Sequence, residues 1–124
     1  MRLKLFAAAA ILLPSMASAQ SMNAETFYKR SNALMAKGPL ALFSRGEIKA
    51  LMTEASNAGK AARAQRLAAL AAGKPPRACP PPKSSMNSDE FMKRLGAIPA
   101  AERARINMTG AMTRITIARF PCPK

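Results

Sequence analysis

The sequence contains no His, no Trp and no Val, and it has only one Tyr and five Phe. Residues that favour strands are therefore scarce, whereas Ala, Leu, Met, Lys and Arg, which favour helices, are abundant. The absence of His excludes a histidine-based catalytic triad and a histidine metal site. The composition predicts an all-α protein.

Acidic residues are also few, six against 20 Lys and Arg. Five lie in the first turns of predicted helices, where interaction with the helix dipole accounts for them: Glu25, Glu47, Asp89, Glu90 and Glu102. Only Glu54 remains, and one carboxylate does not make the pair that acid–base catalysis uses. We therefore predict a non-enzymatic protein with no catalytic, cofactor-binding or metal-binding residues.

No apolar run reaches the length of about 20 residues that a membrane-spanning helix needs. Arg2 and Lys4 precede a short apolar run at residues 5–13, and the small residues Ala17-Ser18-Ala19 follow it. This order is typical of a secretory signal peptide cleaved after the small residues. We predict a signal peptide at residues 1–19 and an exported, periplasmic domain at residues 20–124.

The two cysteines are Cys79 and Cys122. An exported chain with two cysteines most simply forms one disulfide, because oxidising compartments form and keep such bonds. Two free thiols are one alternative. A thiolate metal site is another, although two cysteines without His supply only half of a zinc shell.

Helix start signals divide the domain into four to five predicted helices, one of them long and central. Asn23 and Asn87 are predicted N-caps, and Ser44 with Glu47 forms the pattern of a capping box. The long helix is predicted from Arg45 to about residue 72, its outer half either closely packed or projecting into solvent. Pro99 is expected to start a short helix, and a last helix is predicted from about residue 108 to 119, with Met112, Ile115, Ala111 and Ala118 on packed positions.

Two segments between the helices lack a helical pattern. Residues 40–43 (Leu-Ala-Leu-Phe) are apolar and are expected to be buried against the core. Residues 73–83 contain five prolines, which predict a stiff, extended connector. A proline-rich ligand for a recognition module is the alternative interpretation of that connector.

Positive charge is spread along the chain. Without Arg2 and Lys4 the 20 basic residues fall to 18 against 6 acidic ones, a net charge of +12. The basic groups are Lys29-Arg30, Lys93-Arg94, Arg103 with Arg105, and Lys60, Arg63 and Arg66. Such a surface should attract an acidic protein, anionic lipid or cell-wall polymer. Nucleic acid is not expected, because aromatic residues for base stacking are not interleaved with the charges.

A set of short motifs follows in order along the C-terminal half: Cys79-Pro80, the capped helix around Ser88-Asp89-Glu90-Phe91, Ile98-Pro99 with Arg103, Gly110-Ala111-Met112, and Arg119-Phe120-Pro121-Cys122-Pro123. In these motifs the chain resembles the Rap1a/Tai family. The likeness covers about 45 residues. The N-terminal half differs, since family members carry further cysteines and a Gly-rich segment there.

The resemblance implies a small, exported, disulfide-bonded helical protein. Rap1a/Tai proteins are immunity proteins of type VI secretion systems, which occlude a peptidoglycan-cleaving amidase effector in the periplasm. The expected partner is therefore a secreted cell-wall hydrolase or another acidic protein. The alternative is a basic envelope protein that contacts anionic lipid or cell-wall polymer. The sequence predicts neither partner-contacting residues nor an oligomeric state.

Overall fold

A computed structural model describes residues 21–124, and the predicted signal peptide at residues 1–19 lies outside them. Five α-helices follow one another: α1 (Ala24–Ala36), α2 (Arg45–Ala71), α3 (Ser88–Ala97), α4 (Ala100–Arg103) and α5 (Met108–Arg119). A 3₁₀ helix, Gly38–Phe43, joins α1 to α2. No strand is present in this part of the chain, so the all-α prediction, the long central helix and the single disulfide are confirmed.

Three helices begin with an asparagine cap. Asn23 accepts hydrogen bonds from the N–H groups of Glu25 and Thr26, at 3.0 and 3.1 Å. Asn87 accepts one from Glu90, and Asn107 one from Gly110, each at 2.8 Å. Each cap satisfies N–H groups that have no partner within their own helix. Two of these caps were predicted, whereas the Asn107 cap was not.

The predicted capping box of α2 is wrong, although the helix does begin at Arg45. Ser44 makes no side-chain cap; its hydroxyl accepts a hydrogen bond from Lys37 Nζ at 3.0 Å instead. Glu47 turns toward α1, where Arg30 binds both of its carboxylate oxygens. A two-point bond between two charged groups is stronger than the single bond from a backbone N–H that a capping box would give the carboxylate, so Glu47 is used between helices.

The core lies where α2 packs along α5, with α1 and α3 closing its sides. Its buried side chains come from every α-helix but the short α4: Ala24, Phe27, Leu51, Ala58, Leu95, Met108, Ala111 and Ile115, with Ile98 just beyond α3. Small residues bring α2 and α5 close together, because a Cβ added to Gly59 would lie 3.4 Å from Met112 Cε. The prediction for α5 is partly corrected, since Ala118 is exposed and Met112 is only half-buried.

The N-terminal residues of the domain are bonded to the start of α5. Asn23 and Asn107 form an isolated antiparallel bridge, in which Met108 N–H donates to the Met22 carbonyl at 2.7 Å. The Ser21 hydroxyl accepts from Thr109 N–H at 3.1 Å. These bonds span more than 80 residues of sequence and hold the first and last helices of the fold together.

Arg103 is the most connected side chain of the fold, and it is 6% exposed. Its Nε lies 2.6 Å from Glu25 Oε2 on α1. Its Nη1 donates to the carbonyls of Gly96, at 3.2 Å, and Ile98 at the end of α3. Its guanidinium also lies 4.0 Å from the centre of the Tyr28 ring. One cation thereby joins α1, α3 and α4.

We predict that Arg103→Met destabilises the fold by about 3–5 kcal/mol, because it leaves the Glu25 carboxylate nearly buried without its partner. Urea unfolding of the oxidised protein, followed by circular dichroism, measures the loss. Combining Arg103→Met with Glu25→Gln should cost less than the sum of the two single changes, since the orphaned charge is then gone. The exposed Arg105→Met is the matched control and should change stability by less than about 0.5 kcal/mol. Equal effects of Arg103→Met and Arg105→Met would contradict the role assigned to the buried cation.

The disulfide joins Cys79 to Cys122, with Cα atoms 4.9 Å apart. Beside it, Cys79 N–H donates to the Phe120 carbonyl at 2.8 Å, and Ala78 is buried. The bond therefore attaches the middle of the proline-rich connector to the end of α5. Residues 73–83 contain no helix, as their prolines predicted.

We predict that reduction lowers the free energy of unfolding by up to about 4 kcal/mol, because it releases a loop of 43 residues in the unfolded chain. The measurement is the urea midpoint with and without a phosphine reductant. The double variant Cys79→Ser/Cys122→Ser should match the reduced protein and should not respond to reductant. A reduced midpoint equal to the oxidised one would show that the loop is already held without the bond.

Candidate functional site

A wide groove runs along α2, between that helix, the proline-rich connector and α5, and it has a volume of about 1140 Å³. Leu51, Ala55 and Gly59 of α2 contribute to its lining, as does Met112 of α5. Further apolar lining comes from Leu67 and Leu70 of α2, from Met86, Phe91 and Met92 around α3, and from Ile117 and Phe120. The sequence predicted that the outer half of α2 is either closely packed or projects into solvent. In the structure it forms one wall of this groove.

The connector is the opposite wall, and its position is fixed at its start and in its middle. At its start, Gly73 adopts a φ of +78°, and the N–H groups of Gly73 and Lys74 donate to the carbonyls of Leu70 and Ala69, each at 3.0 Å. These two hydrogen bonds together form a Schellman motif, which ends the helix and redirects the chain. Further along, the disulfide holds the connector against α5. Prolines between these points keep the wall extended.

Every charged residue that lines the groove is basic, among the residues that the structure describes. They are Arg63 and Arg66 of α2, Lys74 and Arg77 of the connector, and Arg119 of α5. Arg119 is engaged: its Nη2 donates to the Ser85 carbonyl at 2.7 Å, and its Nε lies 3.4 Å from Glu90. The other four make no ion pair within residues 21–124. The groove therefore combines an apolar lining with uncompensated positive charge.

A second apolar surface corrects the prediction for residues 40–43. Leu40 is 64%, Leu42 69% and Phe43 88% exposed, so the segment is not buried against the core. The reason is its 3₁₀ geometry, which repeats every three residues. Only Ala41 and Ser44, three positions apart, are half-buried, and the large side chains lie outside.

The carboxylates predicted at helix starts do more than interact with dipoles, because four of them form ion pairs. Glu25 pairs with Arg103, Glu47 with Arg30, Glu90 with Arg94 and Arg119, and Glu102 with Arg114. Glu54, which the sequence left unassigned, accepts a hydrogen bond from the backbone N–H of Met22. The structure therefore gives Glu54 a part in anchoring the N-terminal segment.

The basic groups named from the sequence divide into two kinds. Arg30, Arg94 and Arg103 each bind a carboxylate, so their charge is compensated within the fold. Arg63 and Arg66 instead line the groove. Sequence reasoning missed the groove, the position of the connector that forms it, and the contributions of Lys74 and Arg77. One signal in the sequence could have indicated this charged surface: the connector and the residues on both sides of it contain basic residues but no acidic ones.

Within residues 21–124, no helix is both long enough and apolar enough to cross a bilayer. In the same residues, no three His, Cys, Asp or Glu side chains lie close enough together to hold a metal ion. No family model matches the chain, and no curated protein or solved structure is detectably similar to it.

The pair of Arg30 and Glu47 fixes the start of α2 against α1, next to the exposed 3₁₀ helix. Arg30 Nη2 lies 2.7 Å from Glu47 Oε2, and its Nε lies 2.8 Å from Oε1. The hydrogen bond from Arg30, aided by its charge, lowers the pKa of Glu47 below its ordinary value of 4.5 and raises the pKa of Arg30. A carboxyl whose pKa is lower in the folded state stabilises the fold above its unfolded pKa and loses that effect as the pH falls through the folded value.

We predict that Glu47→Gln removes part of the acid sensitivity of the fold. The difference in urea midpoint between wild type and variant should be constant above about pH 4.5 and should shrink as the pH falls further, because only the wild type then loses the charged pair. Urea titrations at several pH values measure it, and high salt should reduce the difference, since both side chains are about one-third exposed. A difference that does not vary with pH would mean that the pair contributes no net charge stabilisation.

Proposed function

We propose that the chain is an exported periplasmic binding protein of the Rap1a/Tai kind, which neutralises a secreted cell-wall hydrolase by occluding it. The observation that carries the proposal is the groove, where a large apolar lining and solely basic charged side chains lie together. An acidic, partly apolar segment of a protein partner complements both properties.

The size of the groove supports a protein segment as its occupant. Small-molecule pockets have volumes of about 300–1,000 Å³ and enclose most of their ligand. This groove, of about 1140 Å³, exceeds that range and lies open along much of α2. Its lining is contributed by side chains of α1, α2, α3, α5 and the connector, so a bound segment would contact nearly every part of the domain.

The residues that carry the family resemblance support the proposal at the level of the scaffold. Cys79 and Cys122 hold the connector that forms one wall of the groove. Pro99 directly precedes α4, which ends at the buried Arg103. These positions maintain the shape of the domain, whereas the charge along the groove would select the partner.

A second candidate function is contact with anionic lipid or cell-wall polymer. It is favoured by exposed basic side chains outside the groove that form no ion pair in the described part of the chain, among them Lys29, Lys49, Lys60, Lys93 and Arg105. Attraction of this kind is non-directional and weakens strongly with salt.

We predict that the oxidised mature protein captures one stoichiometric cell-wall hydrolase from periplasmic and envelope extracts, and that it inhibits the purified hydrolase on peptidoglycan. Arg63→Glu/Arg66→Glu should weaken binding by about tenfold or more, because it places like charges against an acidic segment. The matched control is Lys29→Glu/Lys93→Glu, which makes the same charge change outside the groove and should bind as the wild type does. Far-UV circular dichroism checks that each variant is folded.

Recovery of only anionic envelope material, released by salt, would overturn the occlusion proposal and favour the second candidate. Equal loss of binding in the groove variant and the control variant would contradict the assignment of binding to the groove. Total charge alone would then determine the affinity.

A further inference from the structure

The 3₁₀ helix Gly38–Phe43 carries an exposed apolar surface that is not part of the groove, and its residues are called the tip below. Leu40, Leu42 and Phe43 are the most exposed large apolar side chains of this segment, and none of its six residues is buried. Gly38 adopts a φ of +56°, which turns the chain away from the end of α1. Ala41 and Ser44 face inward, so the three large side chains share the outer side of the turn.

The chemistry of the tip favours the apolar region of a lipid bilayer, rather than a protein pocket, as its binding partner. Its sequence, Gly-Pro-Leu-Ala-Leu-Phe, has no polar side chain with which to make a directional bond. The backbone at its two ends is bonded within the turn, from Leu40 N–H to the Lys37 carbonyl at 3.2 Å and from Ser44 N–H to the Ala41 carbonyl at 2.8 Å. Specific protein interfaces normally add polar contacts to an apolar centre, whereas the acyl region of a bilayer requires none.

Positive charge surrounds the tip. Lys37 precedes it and is held beside it by the bond from its Nζ to Ser44 Oγ, at 3.0 Å. Arg45 and Lys49 follow, one turn apart in α2, and both are exposed. The nearby acid in the sequence, Glu47, is bound by Arg30 through both carboxylate oxygens. Basic residues next to a short apolar segment are attracted to anionic headgroups while the apolar side chains enter the interface.

We infer that residues 37–49 form a monotopic membrane contact, in which Leu40, Leu42 and Phe43 insert into the interface of an anionic bilayer and Lys37, Arg45 and Lys49 bind its headgroups. The inference deepens the second candidate function and is independent of the occlusion of a hydrolase. A 3₁₀ helix of six residues makes only about two turns. It reaches only the headgroup and upper acyl region, so the contact is reversible and does not span the membrane.

The chain contains no Trp, which allows a direct test. Phe43→Trp places one fluorophore at the tip of the mature, oxidised protein. On vesicles of phosphatidylglycerol and phosphatidylethanolamine, its emission should shift to the blue and should be quenched by lipids brominated in the acyl chains. The control is Met52→Trp, at another exposed apolar position, which should show neither effect.

Affinity gives the second measurement, by flotation with the same vesicles. Leu42→Ser/Phe43→Ser should weaken partitioning by between about tenfold and a hundredfold, since it removes two large apolar side chains from the contact. Met52→Ser should leave it unchanged. Lys37→Glu/Arg45→Glu should abolish the preference for anionic vesicles over phosphatidylcholine vesicles.

Salt-reversible binding without quenching of the introduced tryptophan would overturn the inference, because the contact would then be electrostatic only. Unchanged partitioning of Leu42→Ser/Phe43→Ser would also overturn it. If that variant loses capture or inhibition of a hydrolase while vesicle binding persists, the tip belongs to a protein interface. Failure of the hydrolase experiments alone leaves these vesicle results interpretable, since the variants at the tip lie outside the groove and only the Met52 controls touch its lining.

Discussion

The bonds of Arg103 are the constraint on which the rest of the fold depends. A guanidinium offers several N–H donors in one plane, and here those donors meet a carboxylate of α1 and the last carbonyls of α3. The carbonyls at the end of a helix have no partner within it. Arg103 therefore serves as the C-terminal cap of α3 and as the cation of a nearly buried ion pair at the same time. The additional hydrogen bonds to carbonyls help the ion pair to offset the desolvation of a buried charge.

The surroundings of Arg103 show how closely this arrangement is fitted. Tyr28 lies under the guanidinium, and a Cβ added to Gly96 would approach the Tyr28 hydroxyl to 2.8 Å. Gly96 thus leaves the space that the Tyr28 ring occupies. Because Tyr28 and Glu25 belong to α1, the N-terminal half of the domain completes the environment of an arginine in the C-terminal half. The two halves form one packing unit, which the bonds from Met22 and Ser21 to the start of α5 reinforce.

Features set by neighbouring residues could be predicted from the sequence, and features set by distant ones could not. The helix starts at Asn23 and Asn87 and the extended connector follow from local chemistry, so pattern reasoning found them. The capping box at Ser44 failed because Arg30, 17 residues away from Glu47, competes for the carboxylate. Burial of residues 40–43 was wrong because apolar character does not reveal 3₁₀ geometry. The groove was not foreseen, since it arises only when the disulfide places the connector opposite α2.

The charge of the groove has its origin in the distribution of the few acids along the chain. Between Glu54 and Asp89 the sequence contains six basic residues and no acidic one, and this stretch supplies the outer half of α2 and the connector, which are two walls of the groove. Four carboxylates elsewhere are committed to ion pairs between or within helices. An acid at an exposed position of this stretch would reduce the mutual repulsion of its cations. The absence of acids from this stretch leaves four groove cations without an ion pair within residues 21–124, as the proposed binding of an acidic partner requires.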